Sequence, residues 1–336
     1  MDKSKLPLVT VITLTYNNFH HLQETIHSVC VQDYPNIEYF IFDDCSKEFP
    51  HKMVEDYIET NRKNIKNYKI HSNEVNLGTV RNLNSAYHLA QGEIIMPLSC
   101  GDVFFSKDVI RRVVDRFFAT KCDMLATTRI LYKDNFIPTK LLPNCYVRSL
   151  IEKKNTSREQ YKAFISSHFY DMISGCNMYV RKEVVEKLGF FDESYDLWED
   201  GPFLSKYLWS NKIDFAYDIV SIWYEDGGVS ANSFDFLSPR MRSDVKKFVE
   251  KEMLAHIEIF NATEQRKISY RSQRLLCGHT MRRFLLYGKY LPELVYYILL
   301  TRKLIKLSQH DEVEINEIFS SITNQIIDQS ANKQEI

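Results

Sequence analysis

Hydrophobic residues in the first hundred positions follow two alternating patterns, one typical of strands and the other typical of helices. Strands are predicted where apolar, aromatic and β-branched residues are concentrated, at 8–16, 37–44, 68–71 and 93–99. Helices are predicted where apolar residues recur every three or four positions, at 19–31, 50–58 and 79–90. Strands that alternate with helices of this length favour βαβ units and a largely parallel sheet.

The same alternation extends through most of the next 130 or so residues. Further helices are predicted at 107–120, 181–188 and 199–209, and further strands at 123–132 and 213–224. Residues 133–172 lack the pattern and carry prolines and a charged stretch at 152–159. We therefore expect an insertion over the sheet, which provides a lid or an acceptor-binding surface.

Helical patterns dominate the chain after about residue 239. The sequence therefore predicts an α/β domain at 1–238 and a helical C-terminal region at 239–336. A length of 336 residues is consistent with about two domains.

Composition and charge exclude several classes of protein. The chain is 44% hydrophobic and 26% charged, as ordinary globular proteins are. A net charge of −1 gives no electrostatic reason to expect nucleic-acid binding, and no apolar run reaches the roughly 18 residues that a membrane span needs. The seven cysteines form no CxxC pair and the N-terminus does not resemble a secretory signal, so we expect reduced thiols and a cytoplasmic protein.

Three groups of acidic residues stand at the ends of predicted strands or at the start of a predicted helix. Asp43-Asp44 ends the second strand, Asp102 follows the fourth, and Glu199-Asp200 opens a helix. The carboxyl ends of strands in an open α/β sheet face the crevice where ligands bind, so these acids are candidates for one binding site. Each group also has a purely structural interpretation, as a turn cap, a helix N-cap or a pair of acids favoured by the helix dipole.

A glycine turn precedes an arginine in the predicted third helix. The segment Asn76-Leu77-Gly78 is followed by Arg81, which falls in the first turn of that helix. An arginine there can pair bidentately with a phosphate or a carboxylate, close to the positive end of the helix dipole. The alternative is an arginine on a solvated helix face.

In their order and spacing these segments resemble the family 2 glycosyltransferases, which have the GT-A fold. The resemblance covers about residues 6–230 and rests on five stretches: LVTVITLTYN at 8–17, IEYFIFDDCS at 37–46, NLGTVRN at 76–82, GEIIMPLSCGDVF at 92–104 and GFFDESYDLWEDGPFL at 189–204. It implies an α/β fold with a Rossmann-like mixed sheet flanked by helices, here followed by an α-helical C-terminal extension.

The resemblance also implies a nucleotide-sugar donor, commonly linked to UDP, and inversion at the anomeric carbon. The residues it assigns to nucleotide-sugar binding are Thr15, Tyr16, Asn17, Asp43, Asp44 and Arg81. It assigns Asp102 to a divalent metal ion, Mn²⁺ or Mg²⁺, and Asp200 to the catalytic base. Trp198 and Glu199 would lie on the acceptor side. The acceptor is expected to be a saccharide or a lipid-linked saccharide of a surface polysaccharide.

The chain departs from the family pattern at two places. Ser99, Gly101 and Asp102 stand where the family usually has two or three acids, which implies weaker metal binding or a larger share of ligands from the donor diphosphate. Leu14 stands where a proline is common. The Gln-x-x-Arg-Trp segment of processive synthases is missing, so we expect a single sugar to be transferred per encounter. The loop at Gly227-Gly228 and Ser230 is a candidate to close over the diphosphate.

Two other functions compete with this one. The reduced acidic motif at Asp102 is compatible with a nucleotide-sugar-binding protein that has lost or weakened catalysis. A nicotinamide-dependent oxidoreductase is disfavoured because no Gly-x-Gly-x-x-Gly turn follows the first strand.

The C-terminal region contains a basic and apolar stretch at 281–307. Such a helix can lie in a membrane interface, here the inner face of the cell membrane, which would suit a lipid-linked acceptor. It can equally pack on the catalytic domain or on the second subunit of a homodimer.

Overall fold

The structure of the chain is a computed structural model. It describes residues 6–133, 137–144, 147–149, 152–166, 173–225, 237–276, 288–295, 298–299, 313–318 and 320. The strands are β1 Val9–Thr15, β2 Ile37–Asp43, β3 Ile65–Ser72, β4 Ile94–Pro97, β5 Val103–Phe104, β6 Met124–Lys133, β7 Ile137–Leu142, β8 Met178–Arg181 and β9 Asp214–Glu225. The main helices are α1 Leu22–Cys30, α2 His51–Asn61, α3 Thr79–Leu89, α4 Val109–Thr120, α5 Ser157–Ser166, α6 Lys182–Lys187, α7 Asp200–Leu208, α8 Pro239–Phe248 and α9 Ala262–Leu276.

The strands of the described residues form one nine-stranded mixed sheet. Eight strands follow the order β3-β2-β1-β4-β8-β6-β9-β5. The ninth strand, β7, is not part of this order and pairs with β6. Strands β1 to β4 pair in parallel, as the alternation of strands and helices predicts. The expectation of a largely parallel sheet holds for these strands and for β6 and β9, which also pair in parallel, whereas β8 runs antiparallel to both β4 and β6. Antiparallel pairing also joins β5 to β9 and β6 to β7.

Both faces of the central strands are covered, which explains why β1, β2 and β4 are almost entirely buried, whereas β3 at the side of the sheet is partly exposed. All seven residues of β2 are buried, including Asp43 at its end. One hydrophobic cluster contains side chains of α1 and α4 together with strand residues. A second cluster contains side chains of α3, α5 and α7, again with strand residues. The acidic ends of β2 and β4 therefore emerge between two covered faces, at one edge of the sheet.

The segment at 133–172 is more regular than the sequence suggests. It contains β7, whose first four residues are exposed, and α5, whose Tyr161, Phe164 and Ile165 are buried in the second cluster. Short strands and helices of this kind lack the long periodic signal on which the sequence prediction relies.

The C-terminal helices pack on the same core. Phe248 of α8 and Ile268 of α9 belong to the second hydrophobic cluster, together with strand residues such as Ile12. The boundary near residue 238 stays a prediction from composition. Within the described part of the chain, no helix has the length and apolar character needed to cross a bilayer.

Candidate active site

The acids that end β2 organise the neighbouring loops. The Asp43 side chain is fully buried, and its carboxylate accepts hydrogen bonds from the backbone N–H and the hydroxyl of Ser46. Asp44 is 4% exposed, and one of its oxygens accepts from Leu77 N at 2.8 Å while the other accepts from Gly78 N at 2.8 Å. Buried carboxylates need such donors, and both acids therefore fix loop geometry whatever else they bind.

The end of β1 is joined to the same loops. Thr15 is buried and donates from its hydroxyl to Asn18 O at 2.9 Å. Asn17 has a left-handed backbone conformation, and its N–H donates to Ser46 Oγ at 2.7 Å. Tyr16 between them is 52% exposed, so its ring is available to a ligand at this edge. Hydrogen bonds thus tie the β1 and β2 loops together around an exposed aromatic ring.

Arg81 does not face the acids of these loops. Its Nε lies 3.9 Å from Glu193 Oε2, and the side chain is about half exposed. A different arginine covers the glycine turn, since Arg240 of α8 donates to Asn76 Oδ1 at 2.6 Å. Sequence reasoning missed Arg240, because it lies in the C-terminal helical region and 164 positions from its partner.

Asp102 is buried beside a cysteine. Its side chain is 3% exposed, and the thiol of Cys176 donates to its Oδ2 at 2.5 Å. The Cys176 sulfur also lies 3.3 Å from Ser99 Oγ. Burial and the neighbouring Asp102 charge raise the pKa of the Cys176 thiol, so it stays protonated and serves as the donor.

The Gly175–Asn177 turn brings Asp102 and Asp200 to one place. Cys176 contacts Asp102, and the N–H of Gly175 donates to Asp200 Oδ2 at 3.1 Å. The other oxygen of Asp200 accepts from the indole Nε1 of Trp198 at 2.9 Å. Two acids that lie far apart along the chain therefore line a common site.

Glu199 and Asp200 compete for one proton. Burial, followed by the charge of Asp200, raises the pKa of Glu199 from 4.5 to about 8. Burial also raises the pKa of Asp200, but N–H donors of Gly201, Gly175 and Trp198 act in the opposite direction. Because Asp200 has these donors, we expect Glu199 to hold the proton near neutral pH and Asp200 to be the ionised member of the pair.

A buried arginine adds positive charge to the site. Arg129 of β6 is 6% exposed, and its Nη1 donates to Asn177 Oδ1 at 3.2 Å. Its guanidinium lies 4.6 Å from the ring centre of Tyr224, and its charge lowers the pKa of Asp200 against the larger effect of burial. Sequence reasoning missed Arg129 and Cys176. The available signal for Arg129 was a charged residue in the middle of a predicted strand.

The candidate metal site has one protein acid. Among the residues the structure describes, no group of three or more histidine, cysteine or acidic side chains is placed to hold a cation. Mg²⁺ and Mn²⁺ accept one or two carboxylates when substrate phosphates supply other ligands. Asp102, whose Oδ2 accepts from Cys176, is the residue that would contact an ion arriving with a diphosphate. The candidate loop at Gly227-Gly228 and Ser230 lies outside the described residues.

Comparison with known sequences decides the family. A family profile described as "Glycosyl transferase family 2" matches residues 10–189, which is more than half of the chain. The chain belongs to glycosyl transferase family 2. This confirms the family resemblance seen in the sequence.

Two curated glycosyltransferases are similar to the chain over part of their length. The putative teichuronic acid biosynthesis glycosyltransferase TuaG of Bacillus subtilis is 30% identical over 116 residues, which are 34% of this chain and 44% of TuaG. The poly(ribitol-phosphate) β-N-acetylglucosaminyltransferase TarS of Staphylococcus aureus is 24% identical over 256 residues, which are 75% of this chain and 40% of TarS. The chain thus spans less than half of the length of either relative.

Solved structures confirm the GT-A fold. The structure of S. aureus TarS 1–349 with UDP-GlcNAc has a TM-score of 0.55 and 21% identity, and the match covers 79% of this chain and 71% of that one. The mannosyltransferase PcManGT from Pyrobaculum calidifontis, in complex with GDP-Man and Mn²⁺, has a TM-score of 0.53 and 16% identity over 96% of this chain and 88% of that one. At these identities the likeness concerns the fold alone.

Proposed function

We propose that the protein is an inverting glycosyltransferase that moves a sugar from a UDP-sugar to a saccharide or lipid-linked acceptor. The observation that carries this proposal is the joining of Asp102 and Asp200 through the Gly175-Cys176 turn. A donor-side carboxylate next to a candidate base is the arrangement that direct displacement at a sugar carbon requires. Family membership supports the same reaction class.

In this mechanism Asp200 is the general base. It accepts the proton of the attacking acceptor hydroxyl while that oxygen bonds to C1 of the sugar and the bond from C1 to the diphosphate oxygen breaks. The N–H groups of Trp198 and Gly175 orient its carboxylate toward the acceptor side. Attack from the face opposite the diphosphate inverts the configuration at C1. Glu199 keeps a second negative charge away from the base by holding a proton.

The donor nucleotide is assigned to the edge formed by β1, β2 and the Gly78 turn. Tyr16 is the exposed ring there, and Thr15, Asn17, Asp43 and Asp44 form the loops around it. We retain Arg81 as a donor-binding candidate, although its guanidinium lies against Glu193. Movement of Arg81 toward a phosphate would have to break that exposed pair, which is a small cost.

A divalent ion held by Asp102 and the donor diphosphate would neutralise charge on the leaving group. PcManGT, solved with Mn²⁺, is a relative in fold that supports this assignment. Arg129 is a positive charge of the chain itself in the same site.

The proposed class of acceptor is inferred from the names of two similar proteins. TuaG is named for teichuronic acid biosynthesis, and TarS for transfer to poly(ribitol phosphate). We therefore infer that the acceptor belongs to a surface polysaccharide or a cell-wall polymer, and that the reaction takes place in the cytoplasm, where nucleotide sugars are available. The TarS complex with UDP-GlcNAc favours a UDP-linked donor.

A panel of nucleotide sugars tests the proposal. Purified protein with Mn²⁺ or Mg²⁺ is expected to release UDP from one UDP-sugar, faster when acceptor saccharides are added, and more slowly with EDTA. Turnover of GDP-sugars alone would overturn the assignment of uracil as the donor nucleobase. Tight UDP binding with no release from any donor would favour the alternative, a nucleotide-sugar-binding protein with lost or weakened catalysis, which the single acid at Asp102 motivates.

The stretch at 281–307 is proposed as a peripheral membrane contact. Only residues 288–295 and 298–299 of it are described, and there Leu291, Val295, Ile298 and Leu299 are exposed. A homodimer is the competing use of this apolar face. Flotation with anionic vesicles is expected to carry the protein upward, whereas no flotation together with dimers in sedimentation would replace the membrane with a second copy of the chain.

A further inference from the structure

An aspartate of the C-terminal helical region holds the loop that precedes Asp200. Asp244 of α8 is fully buried, and its carboxylate accepts the backbone N–H of three successive residues. The distances are 3.0 Å to Asp196 N, 2.7 Å to Leu197 N and 3.2 Å to Trp198 N. A cluster of amide donors of this kind stabilises a buried carboxylate, and the carboxylate in turn fixes the path of the backbone.

A lysine of α8 also contacts this loop. Lys247 Nζ lies 3.8 Å from Asp244 Oδ1 and also donates to the backbone oxygen of Ser194. The fully buried carboxylate is thus compensated by three amides and one ammonium group, as a charge in the protein interior requires.

Trp198 connects this anchor to the catalytic base. Its backbone N–H is bound by Asp244, its ring lies on Phe248 of α8 with centroids 4.5 Å apart, and its indole Nε1 donates to Asp200 Oδ1 at 2.9 Å. One residue therefore contacts the C-terminal helix on one side and the base on the other.

Gly201 leaves room for the indole over the first turn of α7. A β-carbon at this position would lie 2.7 Å from Trp198 Nε1 and 2.8 Å from its Cε2. The ring is therefore packed between the backbone of Gly201 and the ring of Phe248, and it cannot turn away from Asp200 without leaving Phe248. The orientation of the indole N–H thus depends on α8.

We propose that Asp244 and Trp198 are positioning residues, which hold the carboxylate of Asp200 in the orientation that accepts the acceptor proton. The inference rests on the proposed role of Asp200. It gives the helical C-terminal region a part in the reaction, because α8 supplies the anchor. The loops assigned to the donor meet this loop through the hydrogen bond from Val80 N to Asp196 O, a backbone contact that neither substitution removes, so donor binding is expected to be unchanged.

Two substitutions and their combination test this role. Asp244→Asn places an amide nitrogen against backbone N–H groups, and Trp198→Phe keeps a ring on Phe248 but removes the indole donor. Each is expected to lower kcat for UDP release about 10- to 100-fold, as loss of orientation of a catalytic group does, with UDP affinity and the KM for donor unchanged. The double variant should be about as slow as the slower single variant, since both act through one contact.

A matched control shows whether the loss of a negative charge near α8 is by itself enough to lower kcat. Glu250→Gln removes one negative charge just after the same helix, from an exposed side chain, and is expected to leave kcat unchanged. A role that is only structural would instead give additive losses in the double variant and a parallel loss of UDP affinity.

A signal independent of turnover tests the same contact. The chain has three tryptophans, so Trp198→Phe assigns the indole N–H resonance of Trp198 in a proton–nitrogen spectrum. Asp244→Asn and Asp200→Asn should both shift that resonance and speed its exchange with solvent. If Asp244→Asn fails to fold, Phe248→Leu is the substitute and should give the same shift.

The outcomes distinguish this inference from the proposed function. An unchanged resonance and unchanged kcat in Asp244→Asn would overturn the positioning role while Asp200→Asn remains inactive. Normal turnover by Asp200→Asn would instead overturn the base assignment, and the positioning role with it.

Discussion

At the scale of single residues, the two adjacent acids Glu199 and Asp200 have different environments. Asp200 accepts hydrogen bonds from Trp198 and Gly175, whereas the pKa of Glu199 is raised mainly by burial and by the charge of Asp200. The family resemblance gives the two acids different roles, and their separation into a protonated and an ionised carboxyl depends on contacts made by distant residues.

This difference predicts a pH dependence of stability. The pKa of Glu199 is about 8 in the folded state and 4.5 in the unfolded chain. Between these values the folded state binds more protons, so this group makes the free energy of unfolding fall as pH rises. Glu199→Gln removes this contribution, and thermal unfolding should show the variant gaining stability relative to wild type as pH rises from 4.5 to about 8.

The exposed Glu183 provides the control for this measurement. Glu183→Gln should give an unfolding temperature that stays parallel to that of wild type at every pH. A parallel curve for Glu199→Gln as well would show that Glu199 titrates alike in the folded and unfolded states, which would contradict a pKa raised by burial.

At the scale of elements, the Gly78 turn joins three parts of the site. Gly78 has a backbone φ of +88°, donates to Asp44 and lies against Arg240 of α8. A β-carbon there would lie 2.7 Å from Asp196 O, which is closer than such atoms approach. The turn between β3 and α3 therefore requires glycine for both conformation and space.

Gly78→Ala is expected to lower the free energy of unfolding by about 1–3 kcal/mol, the usual cost of a strained backbone position. Gly288→Ala is the matched control, since within the described part of the chain a β-carbon at Gly288 meets no atom of another segment within 4 Å. Denaturant unfolding measures both. If both substitutions changed the free energy of unfolding equally, the turn at Gly78 would be able to accommodate a β-carbon without loss of stability.

Elements with a long periodic signal are predictable from the sequence, and those defined by pairing partners are not. The predicted bounds of β1, β2, α3 and α4 agree with the structure within a few residues, because their apolar pattern is continuous. Strand β7 and the antiparallel direction of β8 escape such a prediction, since both depend on which strand lies alongside.

The same limit applies to the candidate site. Asp102 and Asp200 belong to a motif that the sequence displays. Cys176 contacts Asp102 across 74 positions of the chain, and Asp244 contacts Leu197 across 47 positions. No local sequence pattern predicts either contact.

At the scale of the whole molecule, the proposed reaction depends on the convergence of distant segments. The β2 loop, the Gly78 turn and the loop before Trp198 are joined in series, because Asp44 binds Gly78 N and Val80 N donates to Asp196 O at 3.1 Å. The Gly175-Cys176 turn then connects Asp200 to Asp102. Arg81 is the exception, since it lies against Glu193 and is half exposed.

The transfer rate of Asp200→Asn tests the proposed mechanism most directly. Its matched control is Asp218→Asn, which removes an exposed carboxylate that binds Arg116. Removal of a general base should slow sugar transfer about 10²- to 10⁴-fold, while calorimetry shows UDP binding as in wild type and the control transfers normally. Transfer at the wild-type rate by Asp200→Asn would contradict the central claim that Asp200 takes the proton of the acceptor.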